Sequence, residues 1–230
     1  MYKTYFNWST GKDSSLALYY LLQDNSYSID TLVTTVNSHY NRVSMHGLHI
    51  SLLQKQAKAI GIPIQIIELP EQPTMEEYET IMHNALDRLK AKHYTHCVFG
   101  DIFLEDLKTY REQHLNKQNI KALFPLWKQD TVTLINTFID LGFKAIVVCA
   151  NANYFSENFV GKTITKELIS NLPEDVDPCG ENGEFHTFCY DGPIFKHPVP
   201  FTIGEKIYRE YNTPNDDSKT GFWFCDLLET

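Results

Sequence analysis

Apolar positions in the first half of the chain alternate between short β-branched runs and longer stretches with helical spacing. Residues 2–8 read as a strand. Residues 14–23 read as a helix in which Leu16, Ala17, Leu18, Leu21 and Leu22 share a buried face. A second strand is expected over the β-branched run 29–36, and a helix over 46–60 that stops at Gly61 with Pro63 beyond it. A strand over 64–69, a helix over 74–92 with acidic residues in its first turn, and a strand over 95–99 complete this half. Strand and helix alternating at this interval predict right-handed βαβ units and a parallel sheet covered on both faces. Ligands of such sheets sit beyond the carboxyl ends of the strands. Two polar clusters fall there, residues 9–14 after the first strand and Gly100-Asp101 after the fourth.

The second half is less regular. A helix over 131–141 closed by Gly142, a strand over 145–150 and a short helix over 163–171 precede short strands near 185–190 and 203–211. The expected fold class is α/β: a parallel-sheet, Rossmann-like nucleotide-binding domain over residues 1–124 with a smaller C-terminal α+β domain over 125–230. Phe222, Trp223 and Phe224 are expected to finish the core of the second part, with a homodimer contact as the alternative.

Composition narrows the class. A hydrophobic fraction of 43% with 21% charged residues fits an ordinary globular chain and excludes global disorder. A formal charge of −9 argues against a surface that wraps nucleic acid. There is no uninterrupted apolar run of about 18 residues, so no spanning helix is expected. Asn7 and Lys12-Asp13 also interrupt the start too early for a secretory signal. The five cysteines, odd in number and without a C-x-x-C pair, suit reduced thiols and a cytoplasmic protein.

Residues 7–15, Asn-Trp-Ser-Thr-Gly-Lys-Asp-Ser-Ser, carry the strongest chemical signal. A strand enters a turn of small residues that opens into a helix, so backbone N–H groups and the positive helix end converge on one point. Gly11 permits close approach of a phosphate, Ser9, Ser14 and Ser15 add hydroxyls, and Lys12 adds a mobile charge. The Walker A spacing is absent. The stretch resembles the S-G-G-x-D-S loop of PP-loop ATP pyrophosphatases, with Thr10 in place of the first glycine. A β-branched residue resists positive φ, so Thr10 is expected either at negative φ or in an altered loop.

Two later motifs extend the resemblance. Gly100-Asp101-Ile102 is followed by Tyr110-Arg111-Glu112, and Pro125-Leu126-Trp127 leads into the second half. Then come Glu181, Asn182, Gly183, Glu184, Phe185, His186 and Thr187, followed by Asp191 and Pro193. This stretch is similar to the E-G-G-E-[FY]-E-[ST] hallmark of the diphthine–ammonia ligase family, with Asn182 for a glycine and His186 for the last Glu. The chain looks like a bacterial branch of that family, whose acceptor is a different molecule from diphthine.

The resemblance implies an ATP-dependent amide ligase. A substrate carboxylate is adenylated, pyrophosphate is released into residues 9–14, and ammonia or an amine displaces AMP. ATP would contact Ser9, Thr10, Gly11, Lys12, Asp13, Ser14, Gly100 and Asp101, with its adenine near residues 35–38. Mg²⁺ would take Asp13 or Asp101. Lys12 and Asp13 would serve the chemistry of the nucleotide. Glu184 would hold or deprotonate the amine and His186 would act as a base near neutral pH. Arg111, Glu181, Asn182, Gly183 and Glu184 would bind the acceptor, a small-molecule or protein carboxylate. His46 lies where it could line the crevice, although a packed or exposed side chain is the plainer reading. The alternative is a regulatory protein that binds AMP or ATP without turnover. A tRNA-modifying enzyme fits less well, because paired cysteines and a basic tract are both absent.

Overall fold

The computed structural model describes residues 1–43, 47–212 and 219–230. Its first half runs β1 (Tyr2–Asn7), α1 (Lys12–Leu21), β2 (Tyr27–Asn37), β3 (Arg42–Val43), α2 (Ile50–Ile60), β4 (Ile64–Leu69), α3 (Met75–Ala91), β5 (His96–Val98), α4 (Glu105–Asn116) and β6 (Lys121–Leu123). Local chemistry sets several boundaries. Thr74 and Glu77 form a reciprocal capping box at the start of α3. Gly61, at φ 87°, ends α2 in the left-handed conformation. The helix expected from residue 46 begins at Ile50, and His46 lies outside the described residues.

The strands β4, β2, β1, β5 and β6 are hydrogen-bonded in that order, all parallel, with the two-residue β3 antiparallel to the end of β2. From β1 the chain builds outward one way through β2 and β4, then returns to build the other way through β5 and β6. The order therefore reverses between β1 and β5, and a crevice opens beyond their carboxyl ends.

The second half runs α5 (Thr131–Asp140), β7 (Lys144–Asn151), α6 (Lys166–Ser170), β8 (Phe185–Asp191), β9 (Phe201–Asn212) and β10 (Lys219–Glu229). Its sheet is antiparallel in the order β8-β7-β10-β9. Phe222, Trp223 and Phe224 lie in β10, between β7 and β9, and Trp223 packs against the main core. No described helix is long and apolar enough to cross a membrane.

The two faces of the parallel sheet are filled differently. Phe6, Leu32 and Val98 point into a large core shared with α1, α2, α5 and the second sheet. Their chain neighbours Tyr5, Val33 and Cys97 point the other way, into a small cluster beneath α3 and α4. Helix α3 buries only Ala85 and Leu89, and α4 only Leu115.

Candidate functional site: a switch-point crevice

The loop between β1 and α1 begins at the bottom of this crevice. Gly11 is the N-cap of α1 and makes no side-chain cap bond, so the helix start stays turned to the cavity. The hydroxyls of Ser9 and Ser14 lie 2.7 Å apart and draw the loop closed. Thr10 sits at φ 76° and is fully buried. Of the two conformations expected, the loop takes the strained one, which costs on the order of 1–3 kcal/mol for a non-glycine residue.

What holds Thr10 there comes from elsewhere in the chain. Its carbonyl accepts from the backbone N–H of Cys189 (3.0 Å) and from Gln56 Nε2 (2.9 Å). The same Gln56 amide donates to Cys189 O (2.6 Å), while its oxygen accepts from Trp8 Nε1 (2.7 Å). Lys12 N donates to Thr187 Oγ1 (3.1 Å). Strand β8 and helix α2 thus clamp the loop from behind. Gln56 is fully buried on a face of α2 otherwise made of Leu52, Leu53, Ala57 and Ile60. A polar residue in that apolar stripe is the signal by which the sequence could have revealed it.

Lys12 differs from its expected mobile role. Its ammonium is buried, reaches both Asp13 oxygens at 2.7 and 2.9 Å, donates to the carbonyl of Cys179, and lies 5.5 Å from the Phe185 ring centre. Burial opposes its charge, but the carboxylates and Cys179 around it outweigh burial and raise its pKa.

Gly100 ends the β5 side of the crevice. A Cβ there would stand 2.9 Å from Ser14 N, so the backbone of this turn passes against the start of α1 as only glycine allows. Asp101 Oδ2 lies 2.8 Å from Arg111 Nη1, close enough for an ion pair but without the angle of a directed hydrogen bond. Burial raises the Asp101 pKa against the pull of Arg111. The Arg111 guanidinium also stacks 4.3 Å from the centre of Phe99.

The acidic loop closes the crevice from the opposite side, and its two glutamates face opposite ways. Gly180 and Gly183 take φ 68° and 85°, bending the chain between them. Glu181 lines the cavity; its Oε1 accepts from Ile102 N at 2.7 Å and stands 3.4 Å from Phe103 N. Burial pushes its pKa up to about 7, with Asp13 and Asp101 adding to the rise. Glu184 turns inward instead. It is 2% exposed, and its oxygens accept from Asp177 N (2.9 Å), Asn182 N (2.9 Å) and Asn182 Nδ2 (3.0 Å). A carboxylate that ties together its own loop does not present itself to a cavity amine, and Glu184 is absent from the cavity wall. His186 lines the cavity, but burial and the nearby Lys12 charge push its pKa down to about 4. It is neutral at pH 7, and so low a pKa does not favour the base role expected for it.

These residues share one cavity of about 1200 Å³. Ser9, Gly11, Lys12, Asp13, Ser14, Gly100, Asp101, Arg111, Glu181, Asn182 and Gly183 all lie on its wall; Thr10 supports the loop from behind. Near the expected adenine position, Thr34, Thr35 and Leu69 line it, whereas Ser38 is bonded to Leu69 O. The five cysteines are unpaired and buried, and burial pushes the thiols of Cys97, Cys149 and Cys189 up to about 12, so they are inert.

Strand order, switch-point crevice and strand–turn–helix loop define a nucleotide-binding α/β protein of the PP-loop type. The chain belongs to the diphthamide synthase family: the family's N-terminal domain matches residues 2–122 and its C-terminal domain residues 130–216. Among characterised relatives, the diphthine–ammonia ligase of Schizosaccharomyces pombe is 30% identical over 47% of this chain and 18% of its own length. That of Danio rerio is 26% identical over 66% of this chain and 65% of its own, and that of Mus musculus 28% identical over 55% and 49%. The matched region thus spans less than two thirds of these relatives. Among solved structures, a predicted subunit of tRNA methyltransferase from Methanocaldococcus jannaschii superposes with a TM-score of 0.45 at 20% identity, over 63% of this chain and 80% of that one.

Proposed function

We propose that the protein adenylates a substrate carboxylate with ATP and then forms an amide with ammonia or an amine, releasing AMP and pyrophosphate. The observation carrying this reading is that the phosphate loop, Asp101–Arg111 and Glu181 share a single cavity. Its volume exceeds the usual range of about 300–1,000 Å³ for one small-ligand site, which leaves room for a second reactant beside the nucleotide.

In the first step an acceptor carboxylate oxygen attacks the α-phosphorus and the bond from that phosphorus to the bridging oxygen breaks. The amides at the start of α1 and the Ser9 and Ser14 hydroxyls take up charge on the departing pyrophosphate. In the second step the amine nitrogen attacks the acyl carbon, AMP leaves, and Glu181 accepts the proton lost from nitrogen. A carboxylate whose pKa burial pushes to about 7 is suited to that transfer. Glu184, in this reading, fixes the bend that aims Glu181.

On the cavity wall Asp13, Asp101 and Glu181 cluster with Lys12 and Arg111, and each of these two cations is already paired with one of the acids. A polyphosphate bound there adds more negative charge, so the residues fit a divalent cation. No described group of three ligands is arranged to hold one alone. Asp13 and Asp101 would hold Mg²⁺ together with the phosphates, as this ion commonly binds, and it would supply charge neutralisation.

One observation favours the regulatory alternative: the Lys12 ammonium is engaged by Asp13 and the Cys179 carbonyl. Both readings are tested by pyrophosphate release from α-labelled ATP with Mg²⁺, ammonium and a pooled metabolite extract. AMP and pyrophosphate that form only with extract, and vanish in Asp13→Ala, support the ligase. ATP binding without pyrophosphate under every condition supports the regulator.

A further inference from the structure

The cavity continues past Asp101 and Arg111 into a gallery between the parallel sheet and the helices α3 and α4. Its roof is two helical stripes. Tyr78, Met82 and Leu86 recur at i, i+4 and i+8 along α3, and Leu107 and Arg111 at i and i+4 along α4. Phe99 is part of its floor. Helix faces patterned in this way ordinarily close on the sheet, as α1 and α2 do on the opposite side. Here the closure is incomplete: Met82 and Leu86 touch the small cluster beneath them, yet Tyr78, Met82, Leu86 and Leu107 remain partly exposed and line the cavity.

The single charge in the facing stripe is Arg111. Its guanidinium lies over Phe99 and against Asp101, at the junction between gallery and crevice. An arginine keeps five N–H donors in a fixed fork, more than one ion pair uses, and so can take a second carboxylate. The resulting site has an apolar band with Arg111 at its inner end and opens onto the phosphate loop, while Glu79, His83, Lys117 and Gln118 add polar groups elsewhere on its wall.

We infer that this gallery is the acceptor site and that the acceptor is an amphipathic carboxylic acid, with an aryl or alkyl body of several carbons lying between α3 and α4. Its carboxylate would rest by Arg111, directed at the nucleotide. The inference builds on the ligase reading by naming the substrate class, and its test reads binding rather than turnover, so the two can fail separately.

The probe is 4-phenylbutyrate, titrated calorimetrically into the full chain in the presence of Mg²⁺ and a non-hydrolysable ATP analogue. Acetate and 4-phenylbutanol serve as the body-less and charge-less controls. The phenylalkanoate is expected to bind at least about tenfold more tightly than either control. Met82→Trp, which fills the gallery, should lose that affinity about tenfold or more while affinity for the ATP analogue stays within about twofold. Met82→Ala, which enlarges it at a partly exposed side chain, should shift preference toward a longer ω-phenyl acid. Equal binding of all three probes would overturn the inference. So would phenylbutyrate affinity untouched by both substitutions, or a Met82→Trp protein that instead loses the ATP analogue, which would place the adenine in the gallery. Binding that follows the expected pattern without AMP formation from any acid would leave the site standing and count against the ligase reading.

Discussion

The two loops that face each other across the crevice keep their shapes by opposite means. The phosphate loop, residues 9–14, is braced from outside: Gln56 and Cys189 hold the Thr10 carbonyl, and Thr187 holds Lys12 N. The acidic loop, residues 179–186, is braced from within, since Glu184 collects donors from Asp177 and Asn182, and Asp177 Oδ1 accepts from the N–H groups of Cys179 and Glu181. A loop braced from outside cannot form until distant segments dock. A loop braced from within carries its geometry in its own sequence. The difference is one of proportion: the nucleotide side is held by the second half of the chain, whereas the acidic side adds its own carboxylates to the outside contacts from Ile102 N and Lys12.

The largest expected effect breaks the inner brace. In Glu184→Ala three N–H donors, two of them on the exposed Asn182, lose a charged acceptor, a loss of about 3 kcal/mol. Chemical denaturation should show it as a lower midpoint at unchanged slope. A protein within about 0.5 kcal/mol of the parent would mean the loop does not depend on this carboxylate.

Breaking the outer brace is expected to cost less stability but more function. Gln56→Leu leaves Trp8 Nε1 and Cys189 O without their partner, about 2 kcal/mol. It also frees Thr10 to leave φ 76°, so nucleotide affinity should fall about tenfold. Thr10→Gly removes the strain that Gln56 restrains. In the double variant, affinity should return to within about twofold of the parent although the stability loss remains. A loss of affinity that Thr10→Gly fails to repair would show that Gln56 acts only as core.

The same contrast governs how much the sequence discloses. The strand at residues 64–69 and the helix expected over 74–92 are legible because their signals are local: an isoleucine-rich run in one, acidic residues in the first turn of the other. The phosphate loop was legible as composition and place but not as conformation. Whether Thr10 takes positive φ depends on Gln56 and Cys189, 46 and more residues away. The strand β10 escaped detection because its partners, β7 and β9, decide it; Phe222 pairs with Asn151 on one side and Arg209 on the other. Glu181 and Glu184 were both visible as acids beside glycine. Only the bends at Gly180 and Gly183 separate the one that faces the cavity from the one that faces the loop.

The acidic loop carries a pH signature that Glu181→Gln should erase. Burial raises the folded-state pKa of Glu181 from 4.5 to about 7. The folded state therefore keeps the proton while the unfolded chain gives it up. The stability this group contributes is complete below pH 4.5 and is lost as pH rises toward 7. Relative to Glu181→Gln, the parent should lose stability across that window and hold level above it. If the ligase reading is right, amide formation should rise with pH through the same value in the parent. A profile unchanged by the substitution would remove Glu181 from the proton transfer.

The smallest effect is expected where the acidic loop enters β8, at His186, and it has the opposite sign. Burial and Lys12 lower its folded pKa from 6.5 to about 4, so the folded state refuses a proton that the unfolded chain accepts. Its contribution is intact above pH 6.5 and drains as pH falls toward 4. The side chain is only partly shielded from solvent, which limits the size of the effect. Because its window overlaps that of Glu181 with the reverse slope, the parent's stability curve alone will look flatter than either group makes it. Denaturation midpoints of His186→Gln and Glu181→Gln, each measured against the parent from pH 4 to 8, separate the two. The His186→Gln difference should grow toward acid in favour of the variant, and the Glu181→Gln difference toward neutrality. Should both differences slope the same way, one of the two side chains is not held from water as the fold places it.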